Sequence, residues 1–182
     1  MEFYQFEERS LLRRIISWMV DIILVIACAW FTVYTFGTEV TVAGSSMSPY
    51  MENEDVVLMN RLSYELSSPD RFDVVVFRRE DGRVNVKRVI GLPGETVQIY
   101  GGYVFIDGER LKADNGLDEV SLAGLAETPV TLGEDEYFLL GDNRDSSEDS
   151  RFINVGNVKK DQILGKVWIR ILPVRRFSLI GP

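Results

Sequence analysis

The chain has 182 residues, 46% hydrophobic and 26% charged, a balance that admits one domain of ordinary size with an appendage and excludes a disordered tail. With 28 acidic against 20 basic residues, a formal charge of -8 and a pI near 4.7, it lacks the positive field that duplex nucleic acid demands, so no nucleic-acid partner is expected. One cysteine, Cys28, excludes an internal disulfide and a cysteine zinc site, and the absence of histidine removes Ser-His-Asp catalysis and imidazole metal ligation.

Residues 1–14, MEFYQFEERSLLRR, mix charges with aromatics and read as a short cytoplasmic amphipathic segment. Residues 15–36 carry a single charge, Asp21, and at about 1.5 Å per helical residue they reach across a hydrocarbon layer of about 30 Å. A core helix of a small domain would show a polar face, and a cleavable leader would have a shorter apolar run followed by a small-x-small site. A transmembrane helix fits better than either. Arg9, Arg13 and Arg14 precede it, and neither lysine nor arginine returns until Arg61. That bias predicts a single-pass protein of the cytoplasmic (plasma) membrane, amino terminus inside and residues 37–182 outside, with membrane lipid as a partner.

Beyond Gly37 the pattern changes to short β-branched runs separated by turn residues, which predicts strands over 39–43, 55–59, 73–77, 84–90, 96–100, 103–106, 137–140 and 166–171. The expected fold is mainly β, an antiparallel β-sheet catalytic domain with an N-terminal transmembrane helix. Gly101 and Gly102 suit a two-residue primed turn, and Asp81-Gly82 turns another hairpin. Residues 107–134 are richer in glycine and acid and read as an insertion. The closing LPVRRFSLIGP is aromatic and basic but broken by proline, so it can rest against a membrane without crossing one.

Three segments stand apart from ordinary strand and turn composition. VAGSSMSPYM, residues 42–51, can hold a serine hydroxyl at a strand end with backbone N–H groups facing an oxyanion, although Gly-Ser-Ser alone is more often just a turn. VNVKRVIGLPGETV, residues 84–97, places Lys87 inside a β-branched strand. Alternation puts Val84, Val86 and Arg88 on one face and Asn85, Lys87 and Val89 on the other, so a charge is buried or the strand lies at an edge, where lysine discourages aggregation. GDNRDSSEDSRF, residues 141–152, reads as a loop fixed by side-chain bonds and ion pairs. Read as a calcium loop from Asp145, it has Ser150 at the glycine position and Gly156 at the final glutamate position, so the EF-hand pattern fails and no metal is expected.

One chemical requirement joins the three segments. Without histidine, a serine can be activated by a neutral amine if a lysine is desolvated enough to lose its proton near working pH. Lowering a lysine from about 10.4 to about 8 requires roughly 3 kcal/mol of differential destabilisation of the charged form, which burial against apolar strands can supply. Of the five lysines, Lys87 alone lies in a strongly apolar strand.

SMSP, RFDVVVF, VKRVIGLPGETV and GDNRDSSEDSR, in this order and with an amino-terminal anchor, resemble the boxes of type I signal peptidases. The resemblance covers most of the chain. It implies a Ser/Lys-dyad endopeptidase, without cofactor, that removes signal peptides from exported preproteins on the outer face of the cytoplasmic membrane. Ser46 is similar to the family's nucleophile and Lys87, before Arg88 and the GLPG turn, to its general base. Ser147 matches the serine that orients the lysine amine, and Asp142, Arg144, Asp149 and Arg151 resemble the polar residues that hold the site. Gly44 matches the glycine form of the motif, which leaves the oxyanion to backbone N–H groups, including that of Ser46. Tyr50 stands where threonine is common, Glu95 replaces an aspartate, and the sequence after Arg151 is longer than the common pattern.

Extended peptides add to strand edges through main-chain bonds, and Val42, Met47 and Val86 are expected as walls of small pockets that favour alanine-like residues at the first and third positions before the cut. Two other readings remain at this level. One is a self-cleaving Ser/Lys peptidase of the SOS-repressor type, which carries a regulatory segment in place of an anchor. The other is a catalytically silent, membrane-anchored β-domain that binds exported proteins.

Overall fold

The computed structural model describes residues 3–112 and 119–181. Helix α1 (Phe3–Phe36) runs without interruption, so the expected amphipathic segment and span are one helix. Its stretch Leu11–Phe36 is apolar and, before its last turns, exposed along its length; at about 1.5 Å per residue it exceeds the thickness of a hydrocarbon layer. The last turn is tied to the domain through carbonyls that a helix end leaves without intrahelical partners. Gly37 N–H donates to Val33, Arg61 N–H to Thr35 (3.0 Å) and the Trp168 indole N–H to Phe36 (3.2 Å).

The strands are β1 (Thr38–Thr41), β2 (Val56–Asn60), β3 (Val74–Arg78), β4 (Val84–Gly91), β5 (Thr96–Tyr100), β6 (Tyr103–Ile106), β7 (Glu109–Arg110), β8 (Val130–Thr131), β9 (Glu136–Leu140), β10 (Val158–Lys159), β11 (Ile163–Leu172) and β12 (Ser178–Leu179), with a one-turn helix α2 (Ser63–Leu66) after β2. An eight-stranded sheet has the order β1-β2-β11-β3-β4-β9-β10, with β12 also on β11, and a four-stranded sheet has the order β7-β6-β5-β8. Neighbouring strands pair antiparallel, as a mainly β reading expects.

Each of the eight strands expected from sequence has its counterpart, shifted by a few residues at most. The two-residue strands β7, β8, β10 and β12 have no legible period. The expected insertion at 107–134 supplies β7 and β8 to the smaller sheet, while 113–118 within it lie outside the described residues. Gly101 and Gly102 take φ of +59° and +85°, the left-handed values that a primed two-residue turn requires.

β3 is buried on both faces: Val74 and Val76 join Met47, Met51 and Val86 in one apolar cluster, while Val75 and Phe77 join Tyr137 and Leu139 in another. β9 meets β4 only from Arg88 onward, at Arg88, Val89 and Gly91. The first half of β4 therefore has β3 on one side and an unpaired edge on the other, and that edge faces the residues that follow β1.

Candidate active site

Lys87 stands in register opposite Val75, on the half of β4 whose other side is unpaired, but its side chain is buried, which removes the explanation of an exposed edge lysine. Both faces of β4 bury a charge, since Lys87 is 2% exposed and Arg88 6%. Arg88 is matched by Asp142, which accepts from its Nε (2.8 Å) and Nη2 (2.7 Å), while Nη1 donates to the Phe72 carbonyl (2.9 Å). A bidentate pair with its remaining donor satisfied is the arrangement that makes a buried ion pair tolerable. Lys87 has no such partner. Its Nζ donates to Ser46 Oγ at 2.7 Å and to the Val86 carbonyl at 3.2 Å, both uncharged.

Burial is the main reason the Lys87 amine falls from the 10.5 of a free lysine to about 8. Asp149, Glu148 and Asp142 oppose that fall, and the Arg79 guanidinium assists it. Desolvation wins because no carboxylate touches Nζ directly.

Ser46 is half-buried on the turn after β1, and Met47 is fully buried beneath it, which fixes the turn to the core. Gly44 takes φ +81° and its N–H donates to Asn53 Oδ1 at 2.7 Å. On the other side the Ser46 carbonyl accepts from Asn143 N–H (3.1 Å), and Ser45 Oγ meets Ser146 Oγ (3.1 Å). The Ser46 N–H itself makes no hydrogen bond among the described residues.

The loop after β9 is held from within. Asp149 accepts from Gly141 N–H (3.1 Å) and from Arg151 Nε (2.8 Å) and Nη2 (2.9 Å), and Arg151, 1% exposed, also donates to the carbonyls of Arg144 (2.7 Å) and Leu122 (3.0 Å). Arg144 is buried in the same loop. Ser147 departs from expectation: its Oγ is buried but has no hydrogen-bond partner among the described residues, and Lys87 spends its bonds on Ser46 and Val86 instead.

A cleft of about 340 Å³ opens beside the Ser46–Lys87 pair, lined by residues 40–43 on one wall and 83–87 on the other. Val42 and Val86 line it. Met47 does not, because the turn directs it into the core, where it packs with Val42 and Met51.

Sequence reasoning missed Arg79. It is 4% exposed and donates to Glu148 Oε2 (2.5 Å) and to the Asn154 carbonyl (3.1 Å), pinning the loop around Ser147 and holding the Glu148 carboxyl below its usual range. The signal was present, since the alternation Val75, Phe77, Arg79 continues the inward face past the end of β3. Ser150 was missed too: buried, it exchanges bonds with Leu139, accepting on Oγ (3.0 Å) and donating from N–H (3.1 Å).

The sequence profile of signal peptidase, peptidase S26, matches residues 15–172. A signal peptidase I from Leptolyngbya laminosa is 36% identical over 150 residues, covering 78% of this chain and 71% of that protein. One from Bacillus caldolyticus is 35% identical over 178 residues, covering 88% and 91%. A solved signal peptidase I from Enterococcus faecalis V583 aligns at 32% identity and a TM-score of 0.46, over 54% of this chain and 95% of that one. The chain belongs to the signal peptidase I family, serine endopeptidases that cleave signal peptides.

Proposed function

We propose that this chain is a membrane-anchored signal peptidase whose nucleophile is Ser46 and whose general base is the neutral amine of Lys87. The observation that carries this reading is the 2.7 Å approach of Lys87 Nζ to Ser46 Oγ in a buried setting that lowers the amine to about 8. Lys87 takes the Ser46 proton as Oγ attacks the scissile carbonyl carbon, and the Ser46 N–H, which has no acceptor among the described residues, donates to the developing oxyanion. Collapse of the tetrahedral intermediate breaks the C–N bond, with the Lys87 ammonium returning its proton to the leaving amine. Water then attacks the acyl-enzyme, gives a proton to Lys87, and releases the signal peptide as its carboxylate while Ser46 recovers its hydroxyl.

Ser147 has a buried hydroxyl with no hydrogen-bond partner among the described residues, which suits it to orient the Lys87 amine once Oγ has become part of the ester. Asp142, Arg144, Asp149 and Arg151 hold the loop that carries it. The substrate enters the cleft as an extended strand, pairing with the open outer edge of β1 and with the unpaired side of the first half of β4. Val42 and Val86 leave room for small side chains, which supports cleavage after alanine-like residues. Helix α1 anchors the chain in the plasma membrane with the β-domain outside and in contact with lipid, as the basic residues before the span support.

The test is incubation of the detergent-solubilised protein with a purified preprotein, followed by amino-terminal sequencing of the product. A single cut after a small residue, abolished by Ser46→Ala and by Lys87→Arg, is expected. Unchanged cleavage by Ser46→Ala refutes the assignment.

A further inference from the structure

Residues 173–181, outside the stretch matched by the family profile, fold back onto the turn that follows Ser46. β12 pairs with β11 through Ile169–Leu179 and Arg170–Ser178, and Ile180 N–H donates to the Trp168 carbonyl at 2.9 Å. Ile180 is buried in the same cluster as Met47 and Met51, the residues that root the turn. Tyr50, the departure from the common motif, donates its hydroxyl to the Gly181 carbonyl at 3.3 Å.

An ion triad lies under this contact. Asp55, fully buried, accepts from Arg170 Nη1 (3.0 Å), from Arg176 Nη2 (2.7 Å) and from the Glu52 N–H (3.0 Å). Arg170 spends its other donors on the carbonyls of Tyr50 (2.8 Å) and Arg176 (2.8 Å) and on Ser178 Oγ (3.1 Å). One carboxylate and two guanidinium groups thus join β11, the turn and the returning segment. Directional bonds of this kind fix relative position more tightly than apolar packing of equal volume.

The turn is consequently held at both ends. The Ser46 carbonyl is bonded to Asn143 in the loop after β9, and Tyr50 is bonded to the returning segment while its ring lies 4.8 Å from the guanidinium of Arg88. We propose that residues 173–181, through Arg176, Asp55, Arg170 and Tyr50, form a strap that positions the Ser46 nucleophile for attack. Arg176 and Tyr50 are positioning residues, because neither touches the reacting atoms. The inference rests on Ser46 being the nucleophile.

A strap that sets the angle of attack acts on turnover and leaves the cleft walls at 40–43 and 83–87 in place. The test measures kcat and KM for a purified preprotein with the full-length protein in detergent micelles, alongside thermal melts, for Arg176→Ala, Arg176→Lys, Tyr50→Phe and Ser46→Ala. Arg176→Ala and Tyr50→Phe are expected to lower kcat about fivefold or more with KM changed less than about twofold, since small misplacements of reacting groups cost large factors in rate. Arg176→Lys, which keeps one charged donor for Asp55, is expected to recover about half of the wild-type kcat. Wild-type kcat in folded Arg176→Ala, a change confined to KM, or a loss that only tracks the unfolded fraction overturns the strap. If Arg176→Ala does not fold, Tyr50→Phe, which deletes one hydroxyl and keeps the ring, decides on the same criteria. Cleavage by Ser46→Ala overturns the dyad beneath the inference, whereas an inactive Ser46→Ala beside strap variants of wild-type kcat overturns the strap alone.

Discussion

Gly141 packs so closely against Ser147 that a β-carbon at 141 would overlap both the Ser147 side chain and the carbonyl of Ser46. The first residue of the loop after β9 is thereby the spacer between the turn that carries Ser46 and the serine assigned to the lysine. Gly141→Ala is expected to cost about 1 to 3 kcal/mol of stability, as overpacking does in tight interiors. Activity should fall further, by about 100-fold, because the displaced atoms adjoin the attacking oxygen. Thermal melts and kcat for a preprotein measure the two effects separately, and a variant that melts early but keeps full turnover while folded contradicts the spacer role.

Lys87 gives a stability signature with a definite sign. Below about pH 8 the amine is protonated in both folded and unfolded chains, so the folded state bears the full cost of burying the charge. Between about 8 and 10.5 the unfolded chain binds a proton that the folded chain does not, and stability rises with pH until that cost is gone. Lys87→Met removes the cost, worth about 3 kcal/mol, and loses a hydrogen bond to Ser46 worth about 1 kcal/mol. The inactive variant should therefore be about 2 kcal/mol more stable than wild type near neutral pH. That advantage should vanish as the pH approaches 10.5. Thermal unfolding in micelles across that range reads it directly.

Glu148 raises the Lys87 amine and also holds Arg79, which lowers it. Glu148→Gln should move the acid limb of the pH–rate profile to lower pH, by a small amount because the carboxylate is 43% exposed and screened. A move to higher pH would show that the variant acts through the loop and not through charge.

Topology has its own test. Protease added to intact spheroplasts should digest the domain that follows Gly37, while a tag at the amino terminus stays protected. Protection of the domain with an accessible tag reverses the assignment.

Much of the site was legible because its chemistry is scarce in this chain. With no histidine and five lysines, a lysine inside VNVKRVIG stands out, and the density of polar residues in GDNRDSSEDSR announces a loop fixed by side chains. The longer strands were legible for a different reason, since β-branched runs of four or more residues show their period. Two-residue strands do not, and β12 forms only because β11 offers it an edge. The triad at Asp55 was beyond sequence reasoning, because its partners lie 115 and 121 residues away and each alone reads as an ordinary surface charge. Met47 misled for a local reason: alternation cannot be carried through a turn, and this turn directs the side chain into the core.

The pH dependence of kcat/KM for a purified preprotein tests the central claim most directly, because it reports the ionisation of the base in the free enzyme. Activity should rise through a single deprotonation with a midpoint near 8, the value at which buried Lys87 becomes a neutral amine beside Ser46. A rate that is flat across about pH 6 to 9 contradicts a lysine base, and so does a midpoint at the 10.5 of a solvated amine.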